Sequence, residues 1–484
     1  MMPVSAQRGL AISVVCGLIL PLAFAPFGYW PVAVLSLAGL FFALLGADAR
    51  RAFVIALVFG LLSFLGGTYW TFISVTVFYG APTALGIAAT GGLTLALALF
   101  FAVAIAIAAR LLSMTGQLAL LVVFPAVWVF ADWCRSWMFS GFGWLSVGYS
   151  QSDTWLASLA PVLGVYGVSY AVALTAGALL TVILARSRDR TKALVCIAAV
   201  WGIAWSLDGW RWTQPKGELV NVAIAQAAIP QDQKWLVEQY IPTLETYREL
   251  SLQASGRDVI LWPEVAVPNL FVNAREYLEG VQGEIAGSGA TLVTGILRRH
   301  SDGAQRNAVV AMTPEPQFYI KRHLVPFGEY FPLPEFMLNW LREADIPFPD
   351  IGAGTPEQPV LAVAGETIAV SICYEDVFGA EQLVFFPDAT LIVNVANDAW
   401  FGNSIAADQH LQIARLRAAE VGRYVLRSTN TGVSAIIDPL GNVVQRGPQF
   451  EEVLLSATIQ GFTGATPYVR WGNFPIVIVS LVLM

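Results

Sequence analysis

The chain has 484 residues, of which 56% are hydrophobic and only 13% are charged, and its mean hydropathy is +0.63. Soluble domains carry about 25% charged residues, so this composition excludes a protein that is water-soluble throughout and predicts extensive contact with lipid. Of the 27 Lys/Arg and 34 Asp/Glu, residues 1–209 hold 9 and 5, which leaves 18 and 29 for the remainder. The acidic remainder argues against nucleic-acid binding, which needs a basic surface.

Residues 1–214 are predicted to form a transmembrane bundle of seven spans, because about 20 apolar residues cross a bilayer core as a helix. The apolar runs lie at about 9–25, 30–46, 52–75, 84–109, 117–133, 161–185 and 193–208. The segment 466–484 is predicted to be an eighth span, and because it is short we expect it either to be cut short or to end shallowly.

The first apolar run has an alternative interpretation. Arg8 and the residues Ala23-Phe24-Ala25 resemble the elements of a cleavable signal peptide. A charge-free turn at Pro26-Phe27-Gly28 leads directly into the second run, however, and this continuity favours a hairpin of two membrane helices.

The positions of Lys and Arg beside the spans predict the orientation, because cytoplasmic loops are enriched in these residues. With the N-terminus inside, the inside loops hold Arg50, Arg110 and the basic run 186–192, whereas the outside loops carry almost no charge. Seven spans then place residues 215–465 on the outer face. In a bacterium, this is the periplasmic side of the inner membrane.

The loop after the fifth span is rich in tryptophan, including Trp133, Trp137 and Trp144. Tryptophan favours the membrane interface, where an apolar ring meets a wet edge. The residues either form an interfacial belt or shape an entrance for a lipid chain. In the second interpretation, Trp144 is a candidate substrate-binding residue.

Residues 215–465 are predicted to form a layered α/β domain, because short apolar runs alternate with helical patterns. Continuous apolar strands are typical of a sheet that is covered on both faces. The predicted strands lie at 220–226, 259–262, 291–294, 368–372, 390–394 and 433–437, and the predicted helices at 233–254, 273–288 and 406–422.

Polar residues follow the predicted strands at the ends where α/β folds place their sites. Glu264 follows the strand 259–262, Cys373 follows the strand 368–372, and Lys321 follows Ile320. A cysteine there can act as a nucleophile, but its thiol is mostly protonated at neutral pH and needs a base. A carboxylate such as Glu264 can serve if burial raises its pKa, and a lysine can stabilise an oxyanion.

Each of these residues alone also has a more ordinary interpretation, as a core cysteine, a solvated carboxylate and a surface lysine, and spacing leaves the choice open. Cys373 is the one cysteine in the polar part, and no Cys-x-x-Cys spacing suggests zinc or a redox pair. The other three cysteines, which lie in or beside apolar runs, are Cys16, Cys134 and Cys196.

The local sequences around the three residues decide between these interpretations. Trp262-Pro263-Glu264, the run 321–330 and Cys373-Tyr374-Glu375 resemble, in chain order, the Glu–Lys–Cys triad of the nitrilase superfamily. Together with the run 397–402 and the preceding seven-span region, these sequences make the chain closely resemble the apolipoprotein N-acyltransferase family, which is the membrane-embedded branch of the nitrilase superfamily. The resemblance covers essentially the full length.

The resemblance implies a general base at Glu264, an oxyanion-stabilising lysine at Lys321 and a nucleophile at Cys373. It implies a nitrilase αββα sandwich on a bundle of about eight transmembrane helices. It also implies supporting active-site roles for Glu329, Tyr374 and Glu375, and a tryptophan on a mobile arm at Trp235. We place Asn397 and Trp400, in the run 397–402, among the substrate-binding or lid residues.

The implied reaction moves an acyl chain from a phospholipid, preferably phosphatidylethanolamine, through a Cys373 thioester to the diacylglyceryl-modified N-terminal cysteine of an apolipoprotein. The expected partners are therefore these two substrates and the lipid bilayer, and the chain is expected to act as a monomer without a metal or an organic cofactor. One alternative is a membrane-tethered amidase, in which water resolves the thioester. A second alternative, a transporter, normally requires ionisable residues in mid-span, and the spans here are almost free of them.

Overall fold

The computed structural model describes residues 4–112, 114–343 and 350–484. The chain divides into two compact units. The first comprises Met1–Trp212, Phe401–Val421 and Thr466–Met484, and the second comprises Thr213–Trp400 and Gly422–Ala465.

The first unit is a bundle of apolar helices. Within the described residues, six helices are long and apolar enough to cross a membrane: Ala6–Ala23, Ala49–Thr68, Thr83–Leu111, Gly116–Arg135, Trp155–Leu184 and Ser187–Leu207. The apolar helix Pro31–Leu44 has 14 residues and Phe474–Val482 has 9, which fall short of the roughly 20 residues that a span needs. The predicted helical bundle is confirmed, but the count of eight spans is not.

Local sequence explains where these helices begin and how closely they pack. The side chain of Asp48 accepts a hydrogen bond from the backbone N–H of Arg51 and so caps the helix Ala49–Thr68. A Cβ atom at Gly60 would lie 2.8 Å from the Cβ of Ala98, so glycine permits this helix to approach Thr83–Leu111 closely.

The helix Ala406–Val421 belongs to the first unit through polar contacts along its length. The amide oxygen of Gln409 accepts hydrogen bonds from the indole N–H groups of Trp70 and Trp144, at 3.2 and 2.8 Å. Near its end, Glu420 accepts a hydrogen bond from the backbone N–H of Val165 at 2.7 Å, just after Gly164 interrupts the helix Trp155–Leu184 with a φ of 67°. The Glu420 carboxylate thus accepts a hydrogen bond from the backbone N–H of Val165, which has no partner in the preceding turn because the helix is interrupted at Gly164.

The strands of the second unit are β1 Gln214–Gln226, β2 Val259–Leu261, β3 Thr291–Arg299, β4 Gln305–Ala311, β5 Gln317–Ile320, β6 Leu361–Val363, β7 Glu366–Ile372, β8 Leu391–Ala396, β9 Val425–Thr429, β10 Ala435–Ile437, β11 Val443–Arg446 and β12 Val453–Thr463. They form two six-stranded sheets, in the orders β12-β1-β2-β3-β4-β5 and β11-β10-β9-β8-β7-β6. The predicted α/β domain is confirmed. All six predicted strands are present, and β4, β5, β6, β9, β11 and β12 are additional.

Each sheet has a parallel centre and antiparallel edges. The strands β1, β2 and β3 run parallel, as do β7, β8 and β9. The helices Val237–Gln253 and Phe271–Ala286 bury Leu244, Leu278 and Ile285 against apolar side chains of the first sheet. Because the strands at each centre run parallel, the residues that follow β2 meet those that follow β3, and the same holds for β7 and β8.

Candidate active site

Glu264 lies in a tight turn directly after β2. The turn is tied to β3 by a hydrogen bond from the backbone N–H of Gly295 to the carbonyl of Pro263, at 3.2 Å. Val265 adopts a φ of 45°, which is rare for a β-branched residue. A Cβ atom at Gly295 would lie 2.6 Å from the Cα of Glu264, so the turn approaches β3 as closely as it does only because this residue is glycine.

Cys373 lies at the end of β7 and has a φ of 52°, in the left-handed region that non-glycine residues seldom occupy. The side chain is half-buried. The backbone N–H of Asn397, which follows β8, lowers the pKa of its thiol. A strained backbone at a reactive side chain is common at functional sites, where surrounding contacts maintain it.

Lys321 is almost completely buried and brings two carboxylates together. Its Nζ lies 2.9 Å from Oε1 of Glu329 and 3.6 Å from Oε1 of Glu264. Both Glu264 and Lys321 also interact electrostatically with the thiol of Cys373. The structure therefore assembles the three residues that the sequence singled out, from the ends of β2, β5 and β7.

The charges in this group act on the pKa of the thiol in opposite directions. Burial, followed by the negative charge of Glu264, raises the pKa of Cys373 well above its ordinary value, although the ammonium of Lys321 opposes the change. Burial on its own lowers the pKa of Lys321, but Glu329 and Glu264 outweigh burial, and the pKa of Lys321 is raised. Burial and Glu264 therefore favour the protonated thiol in the resting site, and the two carboxylates favour the charged form of Lys321.

Asn307 and Glu329 complete the carboxylate group. The side-chain amide of Asn307 donates to Oε1 of Glu264 at 2.6 Å and to Oε1 of Glu329 at 3.4 Å. The other oxygen of Glu329 accepts from the backbone N–H of Val325 at 2.8 Å. Asn307 was not predicted, because a single asparagine in β4 carries no motif that distinguishes it from a strand-edge residue.

Glu375 is buried and its carboxylate binds backbone rather than other charged groups. One oxygen accepts from the backbone N–H of Arg322 at 2.7 Å and that of His323 at 3.1 Å, and the other accepts from the backbone N–H of Ile372 at 2.7 Å. The hydroxyl of Tyr319 also donates to it. Burial raises the pKa of Glu375, while these backbone donors lower it. The geometry makes Glu375 a positioning residue that ties the Cys373 turn to the segment after Lys321.

Tyr374 is buried against two rings. Its ring packs edge-to-face on Phe378, with centroids 5.0 Å apart, and on the imidazole of His323 at 5.9 Å. His323 in turn stacks on Phe378, and its Nδ1 lies 3.0 Å from a carboxylate oxygen of Glu381. The residue after Cys373 therefore lies in an ordered aromatic cluster.

The predicted substrate-binding residues occupy different settings. Asn397 is buried, and its side-chain amide donates to Oε1 of Gln231 at 2.8 Å. Trp235 is 54% exposed in the loop before the helix Val237–Gln253, and Trp400 is half-buried after β8. Trp144 belongs to the first unit, where its ring is buried beside His410 at a centroid distance of 5.1 Å.

A buried group of charges that was not predicted lies next to the Cys373 turn. The guanidinium of Arg427, on β9, binds the carboxylate of Asp398 at 2.8 Å and that of Asp376 at 3.3 Å, and it also donates to the side-chain oxygen of Asn394. Arg427 thus links the turns that follow β7 and β8. Arg427 lies in a fully buried strand that the sequence pattern did not reveal.

In the described part of the chain, no group of three or more His, Cys, Asp or Glu side chains is arranged so that it could bind a metal ion.

Similarity to known proteins covers both units. Residues 16–178 match the model of the apolipoprotein N-acyltransferase N-terminal domain, and residues 221–468 match that of carbon-nitrogen hydrolase. An apolipoprotein N-acyltransferase from Methylococcus capsulatus is 41% identical over 477 residues, covering 97% of this chain and 94% of the relative. The corresponding protein from Azotobacter vinelandii is 38% identical over 484 residues, covering 98% and 94%.

Among solved structures, a carbon-nitrogen hydrolase from Helicobacter pylori is 12% identical, with a TM-score of 0.37, over 50% of this chain and 89% of that one. The two curated relatives match this chain over nearly the whole length of each protein, at well above 30% identity. The chain therefore belongs to the apolipoprotein N-acyltransferase family.

Proposed function

We propose that the chain transfers an acyl chain from a phospholipid, through a thioester on Cys373, to the α-amine of the N-terminal diacylglyceryl-cysteine of apolipoproteins. The observation that carries the proposal is the position of the Lys321 ammonium. It lies between the carboxylates of Glu264 and Glu329 and interacts with the thiol of Cys373. The apolar bundle of the first unit suits an enzyme whose two substrates both carry fatty chains.

The first half-reaction forms the thioester. Glu264 takes the proton of Cys373 as the sulfur attacks the ester carbonyl of the phospholipid. The ammonium of Lys321 and the backbone N–H that follows the nucleophile stabilise the oxyanion of the tetrahedral intermediate. The intermediate collapses when the C–O bond to the glycerol breaks, and Glu264 returns the proton to the departing lysophospholipid.

The second half-reaction forms the amide. An α-amino group has a pKa near 8, so roughly a tenth of it is neutral and nucleophilic at pH 7. The amine attacks the thioester carbonyl and Glu264 accepts a proton from the nitrogen. The C–S bond then breaks, and Glu264 passes this proton to the departing sulfur, which regenerates the Cys373 thiol and the Glu264 carboxylate. The same ammonium of Lys321 stabilises both oxyanions, because each develops on the carbonyl attached to the same sulfur.

The lipid substrates explain why a thioester enzyme of this kind needs a membrane unit. Extracting an acyl chain from a bilayer into water costs about 0.8 kcal/mol per CH₂ group. A site at the membrane surface avoids that cost. Excluding water from the site also protects the thioester from hydrolysis.

The proposal includes a location and a donor. We place the chain in the bacterial inner membrane with the second unit in the periplasm, because Arg50, Arg110 and the basic run 186–192 alternate with nearly uncharged loops. We expect phosphatidylethanolamine as the acyl donor and a monomer as the active form. Protease protection of the second unit in spheroplasts compared with inverted vesicles measures the orientation directly.

The experiment that tests the function is acylation of the purified protein by phosphatidylethanolamine with a radiolabelled sn-1 chain. We expect label on the protein that neutral hydroxylamine removes and that Cys373→Ala abolishes. Addition of a diacylglyceryl-modified peptide should move the label onto the peptide amine. A protein that never becomes labelled contradicts the mechanism, and label that passes only to water in the presence of the peptide indicates an amidase.

A further inference from the structure

Lys234 is a buried lysine beside the proposed base. Its side chain lies in the loop before the helix Val237–Gln253, the residue is only 3% exposed, and Nζ donates to the backbone carbonyl of Glu264 at 3.1 Å. Burial lowers the pKa of Lys234 to about 8, and the charge of Glu264 opposes that shift. An ammonium is costly to bury, so its position beside Glu264 requires compensation. The hydrogen bond to the Glu264 carbonyl and the negative charge of the Glu264 carboxylate provide it.

The turn that Lys234 binds needs external support. Val265, directly after Glu264, holds a φ of 45°, and an unfavourable backbone conformation persists only where neighbouring contacts maintain it. The hydrogen bonds to Gly295 support the turn from β3. Lys234 supports it from a different segment, at the carbonyl of the catalytic carboxylate's own residue.

The same segment reaches the nucleophile. Three residues before Lys234, the side chain of Gln231 accepts a hydrogen bond from the side chain of Asn397, and the backbone N–H of Asn397 lowers the pKa of the Cys373 thiol. The backbone N–H of Lys234 donates to the carbonyl of Pro230 at 2.9 Å, which makes the segment a compact turn. Residues 229–235 therefore contact the base turn at one end and a neighbour of the nucleophile at the other.

We propose that Lys234 is a positioning residue for acyl transfer: it holds the Glu264 turn and, through the segment 229–235, joins that turn to the Cys373 turn. This inference rests on the proposed function and deepens it. Trp235, the exposed neighbour of Lys234, places a side chain that can contact substrate on the same segment. Substrate that contacts Trp235 would therefore act, through this segment, on the relative positions of Glu264 and Cys373.

The test is single-turnover acylation of Lys234→Met by labelled phosphatidylethanolamine. The burst amplitude counts competent sites, and the rate constant per competent site reports the geometry. We expect that rate constant to fall ~10–100-fold, because small misplacements of reacting groups have effects of this size. Lys234→Arg, which keeps the charge and the donors, should recover much of the loss, and Lys216→Met, at an exposed lysine of the same unit, should behave as the unaltered protein does.

Two outcomes contradict the inference. In one, Lys234→Met loses competent sites or melts earlier but acylates at the normal rate per site, which indicates a structural role alone. In the other, the rate per site is unchanged and the protein is equally stable. If the unaltered protein itself is not labelled, the proposed function fails, and this result is distinct from both.

A double-mutant cycle tests the connection between the two turns. If the segment 229–235 acts as a single connection, Lys234→Met and Gln231→Met each disrupt that same connection. Their combined effect on the acylation rate should then be smaller than the product of the separate effects. Effects that multiply independently contradict the connection.

Discussion

The amide of Asn307 donates to the carboxylate of Glu264 across 2.6 Å, from a strand that pairs with β3 rather than with β2. This bond occupies the carboxylate oxygen that also lies nearest to Lys321. It therefore sets the rotation of the carboxyl group about its own axis and leaves the other oxygen for the role that we propose, acceptance of the Cys373 proton. Glu329 receives a weaker bond from the same amide, so Asn307 fixes both carboxylates relative to Lys321.

Replacing Asn307 should change the orientation of Glu264, the proposed base, without removing its carboxylate. For Asn307→Leu, which has a similar size but no donor, we expect the acylation rate per competent site to fall ~10–100-fold. The reason is that Glu264 and Glu329 lose the bonds that orient them. The measurement is the single-turnover acylation rate, with Asn273→Leu as the control at an exposed asparagine in the helix Phe271–Ala286. Normal acylation by Asn307→Leu would show that the remaining contacts, from Lys321 to both carboxylates and from the backbone N–H of Val325 to Glu329, are sufficient to orient them.

The charges around Cys373 predict opposite effects of two substitutions on thiol reactivity. Glu264 raises the pKa of Cys373 and Lys321 lowers it. Glu264→Gln should therefore lower the thiol pKa and speed alkylation by iodoacetamide at pH 7, although acyl transfer is lost. Lys321→Met should slow alkylation. The reactive thiolate fraction changes about tenfold for each unit of pKa.

The alkylation rate is measured from pH 6 to 10, with Cys373→Ala as the control for the other cysteines. In the unaltered protein, the raised pKa implies that alkylation keeps rising above the ordinary thiol pKa of 9.0 instead of levelling off there. If both substitutions shift the profile in the same direction, the opposing electrostatic roles of Glu264 and Lys321 are wrong.

The buried group around Arg427 makes a prediction about stability. Arg427→Met should destabilise the protein by about 3–5 kcal/mol, because it leaves the buried carboxylates of Asp376 and Asp398 without their shared cation. The triple variant with Asp376→Asn and Asp398→Asn should recover a substantial part of this loss, since it also removes the unpaired charges. The measurement is thermal unfolding in detergent.

An exposed ion pair of the same unit provides the control for this substitution. Arg248→Met breaks the pair with Glu284, in which both side chains are well exposed, and it should leave the unfolding temperature unchanged. If Arg427→Met and Arg248→Met have the same effect, the buried group does not hold the two turns.

The elements that could be predicted from sequence are those whose pattern follows from burial alone. The strands β2, β7 and β8 are mostly apolar. The strands β2 and β8 are buried along their whole length, and β7 is buried except at Thr367. In contrast, β9 carries Arg427, Ser428 and Thr429 into the interior, and its polar side chains conceal a fully buried strand. The strands β11 and β12 lie at the edges of their sheets, where most of their residues are only partly buried, so burial imposes no strict apolar pattern on them.

The site follows the same division. Glu264, Lys321 and Cys373 were found because each stands in a recognisable local sequence. Asn307 and Lys234 were missed as functional residues because their importance lies in partners 43 and 30 residues away along the chain. The predicted helix 233–254 begins instead at Val237, since the residues before it form the turn that carries Lys234. Contacts of this kind exist only once the sheet is assembled.

The turn that holds Glu264 can be tested by substituting alanine at two glycines of the second unit, Gly295 and Gly280. Only the substitution at Gly295 should impair acylation. At Gly295 a Cβ atom would lie 2.6 Å from the carbonyl oxygen of Pro263 and from the Cα of Glu264. These are backbone atoms that cannot rotate away, so Gly295→Ala must displace the turn. We expect acylation per competent site to fall ~100-fold or more, because the reacting groups move apart.

Gly280 is the matched control, since it lies within the helix Phe271–Ala286 and a Cβ atom there would meet nothing within 4 Å. Gly280→Ala should therefore leave acylation unchanged and stabilise the helix by roughly 0.5–1 kcal/mol, because alanine loses less conformational freedom on folding. Thermal unfolding and single-turnover acylation of the two variants separate the predictions. An active Gly295→Ala protein would mean that the Glu264 turn tolerates displacement, and the close approach of β3 would then have no part in placing the base.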